Sequence, residues 1–151
     1  MQPFAGRATA PSVAIMPESR KPRVFITDAV GEWTELTAGG RPVVRLRAAD
    51  LQEAQRRRRR LPADVPVVLD VAVAVAEDSR AALTAISGHA GESTVHYAGT
   101  VDGLAGMVTD LFVAGVADGV TLIPVTPEQD LRPQAQAALR GIQNRLRISA
   151  A

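Results

Sequence analysis

The most regular hydrophobic pattern in the chain is the apolar stretch at residues 65–75. In an extended conformation, successive side chains point to opposite faces of a sheet. One face then carries only valine and leucine, while the other carries Val68, Asp70, Ala72 and Ala74. Because both faces are apolar apart from one carboxylate, the pattern predicts a strand covered on both sides, as in a parallel sheet.

A second pattern, over residues 94–125, changes from strand to helix and back to strand. Residues 94–98 predict a strand, and a Gly99-Thr100 turn follows, with Thr100 suited to cap a helix. One helix face is marked by apolar residues at the i, i+3, i+4 and i+7 positions, namely Leu104, Met107, Val108 and Leu111. Gly115 is placed to end this helix, and residues 119–125 predict the next strand. The segment therefore predicts one βαβ crossover, the unit of parallel α/β folds.

The rest of the chain fits the same alternation. Further strands are predicted at residues 23–27 and 42–46, and further helices at residues 29–38, at residues 49–61 and after Asp78 or Ser79. The capping box Thr126-Pro127-Glu128-Gln129 predicts the last helix, with a kink or a second start at Pro133. The residues expected to face the core from the last two of these helices are Ala82, Leu83, Ile86, Ala135, Ala138, Leu139, Ile142 and Leu146. Prolines and polar residues at 1–22 predict a flexible N-terminal arm, which leaves residues 23–151 as the domain.

The bulk composition narrows the class of protein. With 151 residues, of which 46% are hydrophobic and 22% charged, the chain has the size and composition of one globular domain. It contains no cysteine, which excludes disulfides, thiolate nucleophiles and cysteine metal sites. The net charge is +1. Because no apolar run reaches about 18 residues, we expect a cytoplasmic protein without a membrane span.

Five consecutive arginines, Arg56 to Arg60, are the strongest local charge feature. Phosphate or nucleic-acid binding is one interpretation. Successive residues of a helix point in directions about 100° apart, so the arginines surround the helix end instead of forming one stripe. Arginine also suits a helix C-terminus, and Glu53 can pair with Arg57 one turn later. We therefore favour a solvated helix end and do not expect a nucleic-acid partner.

Three other polar residues lie where a site could form. Asp28 follows a strand, where it is placed either at a functional rim or as the cap of the next helix. Asp70 interrupts an apolar strand and needs a partner, more often for a structural hydrogen bond than for catalysis. His96 is more typical of a core histidine with one nitrogen hydrogen-bonded than of a site residue. The two histidines of the chain show no zinc-binding spacing.

One long segment, GTVDGLAGMVTDLFVAGVADGVTLIPV, combines a Gly-Thr turn, a helix and an Ala117-Asp118-Gly119 turn before a strand. This order resembles the bacterial luciferase-like monooxygenase family of flavin- or deazaflavin-dependent oxidoreductases. The nitrilotriacetate-monooxygenase branch of the family is similar in LIPVTPEQDL and in a helix ending in QNRL. Upstream, the order and spacing are similar in LTAGGRPVVRLRAADLQEA and VVLDVAVAVAEDSRAAL. The resemblance covers residues 23–148.

The resemblance implies an α/β fold of parallel βα units that form a partial, half-size TIM-type (β/α)₈ barrel, because a complete barrel needs about 250 residues. It implies FMN or a deazaflavin as cofactor. By position, the implied phosphate-binding residues are Thr27, Gly31, Gly99 and Thr100, while the catalytic residues are unknown. The implied partners are a second copy or a chain that supplies the missing half-barrel, and a flavin reductase.

Two functions of different classes follow from these observations. The first is a flavin-dependent oxidoreductase or monooxygenase that is truncated and not expected to turn over alone. The alternative is a non-catalytic oligomerisation or partner-binding α/β module.

Overall fold

The valine-rich strand lies at the centre of the fold, and all nine of its residues are buried in the computed structural model of the chain. The structure describes residues 21–28, 30–39, 42–87, 94–126 and 129–150, so nearly all of the predicted N-terminal arm lies outside the described residues. The strands are β1 (Arg23–Thr27), β2 (Trp33–Glu35), β3 (Val44–Leu46), β4 (Val67–Val75), β5 (Val95–Gly99) and β6 (Gly119–Pro124). The helices are α1 (Leu51–Arg59), α2 (Ser79–Ser87), α3 (Val101–Val113) and α4 (Arg132–Ala150).

The central strand β4 has parallel neighbours along both edges. One edge pairs with β6 over residues 68–73. The other edge is shared, because β3 pairs with residues 67–69 and β5 pairs with residues 71–75. The resulting order is β2-β1-β6-β4-β3, with β5 beside the C-terminal half of β4. Only β2 is antiparallel to its neighbour within the described sheet, so the predicted parallel α/β character is confirmed.

Helices cover both faces of this sheet. The face of β4 that carries valine and leucine packs in the main core with residues of α1, α3 and α4, whereas Ile86 of α2 packs on the other face, against Ala72 and Ala74. The sheet is curled like half of a barrel. However, β6 lies between β1 and β4, so the strands do not pair in chain order as they do in a (β/α)₈ barrel. A TIM-type barrel is therefore not confirmed.

The predicted helix at residues 29–38 is wrong, because Trp33–Glu35 forms strand β2, antiparallel to β1. The Asp28 carboxylate accepts hydrogen bonds from two backbone N–H groups of the following turn, at 3.0 and 2.8 Å. Gly31 takes a φ of +86°, which glycine adopts without strain. These contacts reverse the chain after β1, so Asp28 closes a hairpin turn and does not cap a helix.

The two ends of α3 follow the predicted capping. Thr100 is the N-cap and accepts a hydrogen bond from the N–H of Gly103 at 3.1 Å. Gly115 follows the C-cap with a φ of +76°. The N–H groups of Gly115 and Val116 donate to carbonyls of the last helical turn, which closes a Schellman motif and ends the helix.

The last helix begins later than the capping box predicts. Its first residue is Arg132, whose N–H is accepted by the Asp130 carboxylate at 3.1 Å, while Pro127 and Glu128 lie outside the described residues. Pro133 is the second residue of α4, where a missing N–H costs no helical hydrogen bond, so a helix start at Pro133 is confirmed. Neither α4 nor any other helix in the described ranges is both long and apolar enough to cross a lipid bilayer.

The predicted inner faces of the helices are mostly confirmed. The small and branched residues of α4, Ala135, Ala138 and Ile142, are buried in the main core. In α2, however, Leu83 is 58% exposed, while the adjacent Ala82 is buried. The prediction for Leu83 is wrong because α2 contacts the sheet through a narrow stripe of alanine and isoleucine.

Candidate functional site

The carboxyl ends of β4 and β5 border a cleft of about 410 Å³. Its walls are formed by the loop after β4, the first turn of α3 and one side chain of α4. The residues that line it are Val75, Ala76, Glu77, Thr100, Val101, Asp102 and Gln134. The chain leaves β4 toward α2 on one face of the sheet and leaves β5 toward α3 on the other. In open parallel sheets, ligands bind where the crossovers diverge in this way, so the cleft is the candidate ligand site.

The polar groups of the cleft favour a ligand that donates hydrogen bonds. The Oε1 atom of Gln134 is buried and has no hydrogen-bond partner in the part of the chain that the structure describes. A ligand N–H or O–H would recover the free energy that such an acceptor loses on burial. Glu77 and Asp102 add two exposed carboxylates, of which Asp102 pairs with Arg145 at 2.9 Å. Their charge disfavours an anionic ligand.

Tyr97 fills the space at the predicted Gly99-Thr100 turn. Its hydroxyl donates a hydrogen bond to the Thr100 carbonyl at 2.8 Å, and burial raises the pKa of that hydroxyl. A β-carbon at Gly99 or at Gly103 would collide with the hydroxyl, so both glycines make room for Tyr97. The chain itself thus occupies the space in which a glycine turn lets a phosphate approach the backbone.

At the other predicted turn, the backbone donors are already used. Thr27 ends β1 opposite Trp33 and is 9% exposed. Gly31 lies in the hairpin turn, where the Asp28 carboxylate accepts two backbone N–H groups. A carboxylate held there excludes a phosphate, because it takes the same donors and carries the same sign of charge.

The structure does not bring the four predicted phosphate residues together. Thr27 and Gly31 belong to β1 and its turn, whereas Gly99 and Thr100 lie at the end of β5. Two strands, β6 and β4, separate β1 from β5, so the two turns lie at separate places along the edge of the sheet. These residues, as arranged here, do not fit a flavin phosphate.

The chain was compared with protein-family models, with curated proteins and with solved structures. None of them matches it. The luciferase-like resemblance therefore stays a prediction.

Asp70, the carboxylate within the apolar strand, belongs to a polar cluster on the α2 face of the sheet. The Nε of Arg45 donates to it at 2.8 Å, and the Asp70 side chain is 9% exposed. The Arg45 guanidinium lies 5.3 Å from the centroid of the Trp33 ring, and the indole N–H of Trp33 donates to the Thr121 hydroxyl at 2.9 Å. Asp70 thus has the structural hydrogen bond that the sequence predicts.

His96 lies beside Ala72 on the same face of the sheet. Its Nε2 atom is buried and makes no hydrogen bond within the described residues, so the hydrogen bond predicted for one ring nitrogen of His96 is not found at this atom. In the described ranges, no group of three His, Cys, Asp or Glu residues is placed to hold a metal ion.

Sequence reasoning missed three polar residues of the cleft, namely Glu77, Asp102 and Gln134. Glu77 and Asp102 carried a usable signal, since each lies just after a predicted strand that ends at the same edge of the sheet. Gln134 carried none, because only the packing of α4 brings it next to the first turn of α3.

Proposed function

We propose that this chain is a non-catalytic α/β module that associates with a second copy of itself. One observation carries the proposal: both turns expected to hold a flavin phosphate are filled by the chain's own side chains, Tyr97 in one and Asp28 in the other. The cleft also supplies no activated nucleophile, because its hydroxyl, that of Thr100, is used to cap α3.

An apolar groove between α1 and α3 is the surface that supports association. Its volume is about 570 Å³, and its lining is apolar apart from the exposed carboxylate of Asp110, with Leu51, Gly103, Gly106, Met107, Leu111, Ala114 and Val116. Leu51 is 41% exposed and lines this depression together with the half-buried Met107. A two-fold interface requires a patch that complements itself, and a projecting leucine beside a depression meets that requirement.

Sedimentation velocity over a range of protein concentrations tests this proposal. We expect a monomer–dimer equilibrium that Leu51→Asp shifts to monomer, because the change places an unpaired charge in the interface. Aspartate is favourable in the first turn of a helix, so α1 should stay folded in this variant.

Leu83→Asp is the matched control, since Leu83 is 58% exposed on α2, across the sheet from the groove. This control should leave the equilibrium unchanged. A wild-type chain that stays monomeric at every concentration, or a control as disruptive as the groove variant, would overturn the proposal.

A flavin-dependent oxidoreductase or monooxygenase is the second proposal. It is supported by the resemblance at residues 99–125 and by the position of the cleft, because barrel enzymes hold their ligands at the carboxyl ends of the strands. In this proposal the curled sheet is half of a TIM-type barrel, a second chain supplies the other half, and a flavin reductase delivers reduced flavin. Phosphate-dependent binding of FMN or a deazaflavin to the chain alone would favour this proposal over the module.

A further inference from the structure

The arginines of α1 fall into two groups. The first group, Arg57 and Arg58, anchors the helix to the rest of the fold. Arg58 forms an ion pair with the Asp118 carboxylate at the turn before β6. Arg57 donates to the backbone carbonyl of Arg47, at the end of β3, at 2.7 Å. The predicted pair of Glu53 with Arg57 is not formed, because Glu53 accepts a backbone N–H before the helix. These contacts fix the rotation of α1 about its axis.

The second group, Arg56, Arg59 and Arg60, is exposed and has no ion-pair partner among the residues that the structure describes. Two nearby carboxylates, those of Asp50 and Glu53, are engaged in capping the N-terminus of the helix. The positive charge of the second group is therefore not neutralised by the acidic residues of its own helix.

These three arginines share one side of the helix. At about 100° per residue, Arg56, Arg59 and Arg60 fall within about 100° of one another, and neighbours three or four apart have β-carbons about 5–6 Å apart. Gln52 and Gln55 extend the same side and are also exposed. The outer stripe of α1, formed by Gln52, Gln55, Arg56, Arg59 and Arg60, is thus a continuous row of hydrogen-bond donors.

Because Arg57 and Arg58 are engaged by the fold, the three remaining arginines do form one stripe, contrary to the expectation from the sequence. We propose that the outer stripe of α1 binds the phosphate backbone of nucleic acid without sequence preference. Guanidinium groups bind phosphate in a bidentate manner, and glutamine side chains add neutral contacts to phosphate oxygens. A membrane surface is less well matched, because interfacial helices need an apolar face toward the lipid and this stripe contains none. The stripe contains no aromatic residue for base stacking, so recognition is limited to the backbone.

The test is fluorescence anisotropy with a labelled, mixed-sequence single-stranded DNA over a salt series. Three phosphate contacts predict a slope of log affinity against log salt of about −2, at about −0.7 per phosphate. The variant Arg56→Gln/Arg59→Gln/Arg60→Gln should lower the affinity at low salt by about tenfold or more and flatten the slope. Glutamine keeps helix propensity, and thermal unfolding checks that the variant is folded.

The control variant Arg80→Gln/Arg140→Gln/Arg147→Gln removes the same charge from exposed arginines on α2 and α4. It should keep the wild-type salt slope. Absence of binding at low salt, or an equal loss in the control variant, would overturn the proposal. Tighter binding to vesicles of phosphatidylserine than to DNA would also overturn it, in favour of a membrane surface.

Discussion

The Tyr97 hydroxyl lies where it would collide with a β-carbon at Gly99. Gly99→Ala should therefore lower the free energy of unfolding by about 1–3 kcal/mol, because the ring must shift to admit the methyl group. In a Tyr97→Phe background the closest colliding atom is gone, so the same change should cost less. Urea unfolding of the four proteins measures this coupling. Strictly additive costs would show that the Tyr97 hydroxyl is not what the added methyl group collides with.

Trp33, the single tryptophan of the chain, ties the hairpin to the sheet. Its ring stacks on Phe25 at 4.3 Å, and its N–H donates to the Thr121 hydroxyl, which is 0% exposed. Trp33→Phe should lower the free energy of unfolding by about 1–3 kcal/mol, because a buried hydroxyl loses its donor. The same change in a Thr121→Val background should cost less. Equal costs in the two backgrounds, measured by urea unfolding, would assign the effect to ring packing alone.

Adjacent arginines of α1 should differ sharply in their effect on stability. The Arg58 side chain is 17% exposed and pairs with Asp118, whereas Arg59 is exposed. Arg58→Gln should cost about 1–3 kcal/mol, because a partly buried carboxylate loses its cationic partner. Arg59→Gln should change stability by no more than about 0.5 kcal/mol. Thermal unfolding of the two variants compares them, and equal shifts would contradict the division of the arginines into two groups.

The Arg23–Glu35 pair should make the stability of the hairpin depend on pH. Two hydrogen bonds from Arg23, at 2.8 and 2.7 Å, hold the pKa of Glu35 below its ordinary value. A carboxyl group with a lowered pKa in the folded state stabilises the fold above its unfolded-state pKa of about 4.3. That stabilisation is lost as the pH falls through the lowered folded-state pKa.

Glu35→Gln should therefore be clearly less stable than the wild type near neutral pH and should approach the wild-type stability below about pH 4. Denaturant unfolding of both proteins across this pH range gives the difference. A difference that stays constant from neutral pH to acid would show that the charge of Glu35 contributes nothing.

The elements that could be predicted from the sequence are those with a local signal. The alternation in β4 and the capped, periodic α3 depend on neighbours within a few residues. The β1–β2 hairpin could not be predicted, because Trp33 and Leu36 have helical spacing. Its turn depends on side-chain contacts of Asp28, and its pairing depends on Thr27 opposite Trp33. Tertiary pairing thus overrides a weak local preference.

The order of the strands in the sheet could not be predicted from the local hydrophobic pattern. Strand β6 follows β5 and α3 in the chain, yet it pairs with β4 and β1. Val120 and Leu122 are buried on the main-core side, as they would be in any interior strand. The hydrophobic pattern therefore predicts that β6 is interior but does not identify its neighbours.

The candidate site was predictable only in part. Thr100 as a helix cap could be read from the sequence, because capping needs only a hydroxyl before a helix. The role of Gly99 could not be read from the sequence, because a glycine that makes room for Tyr97 cannot be distinguished there from a glycine that admits a phosphate. Distinguishing the two requires the position of the tyrosine ring.

Calorimetric titration of FMN, a deazaflavin and riboflavin into the purified chain tests the central claim most directly. We predict no saturable binding that depends on the flavin phosphate, because Tyr97 and Asp28 occupy both candidate turns. FMN binding that is saturable, one-to-one and stronger than that of riboflavin, which lacks the phosphate, would contradict that claim.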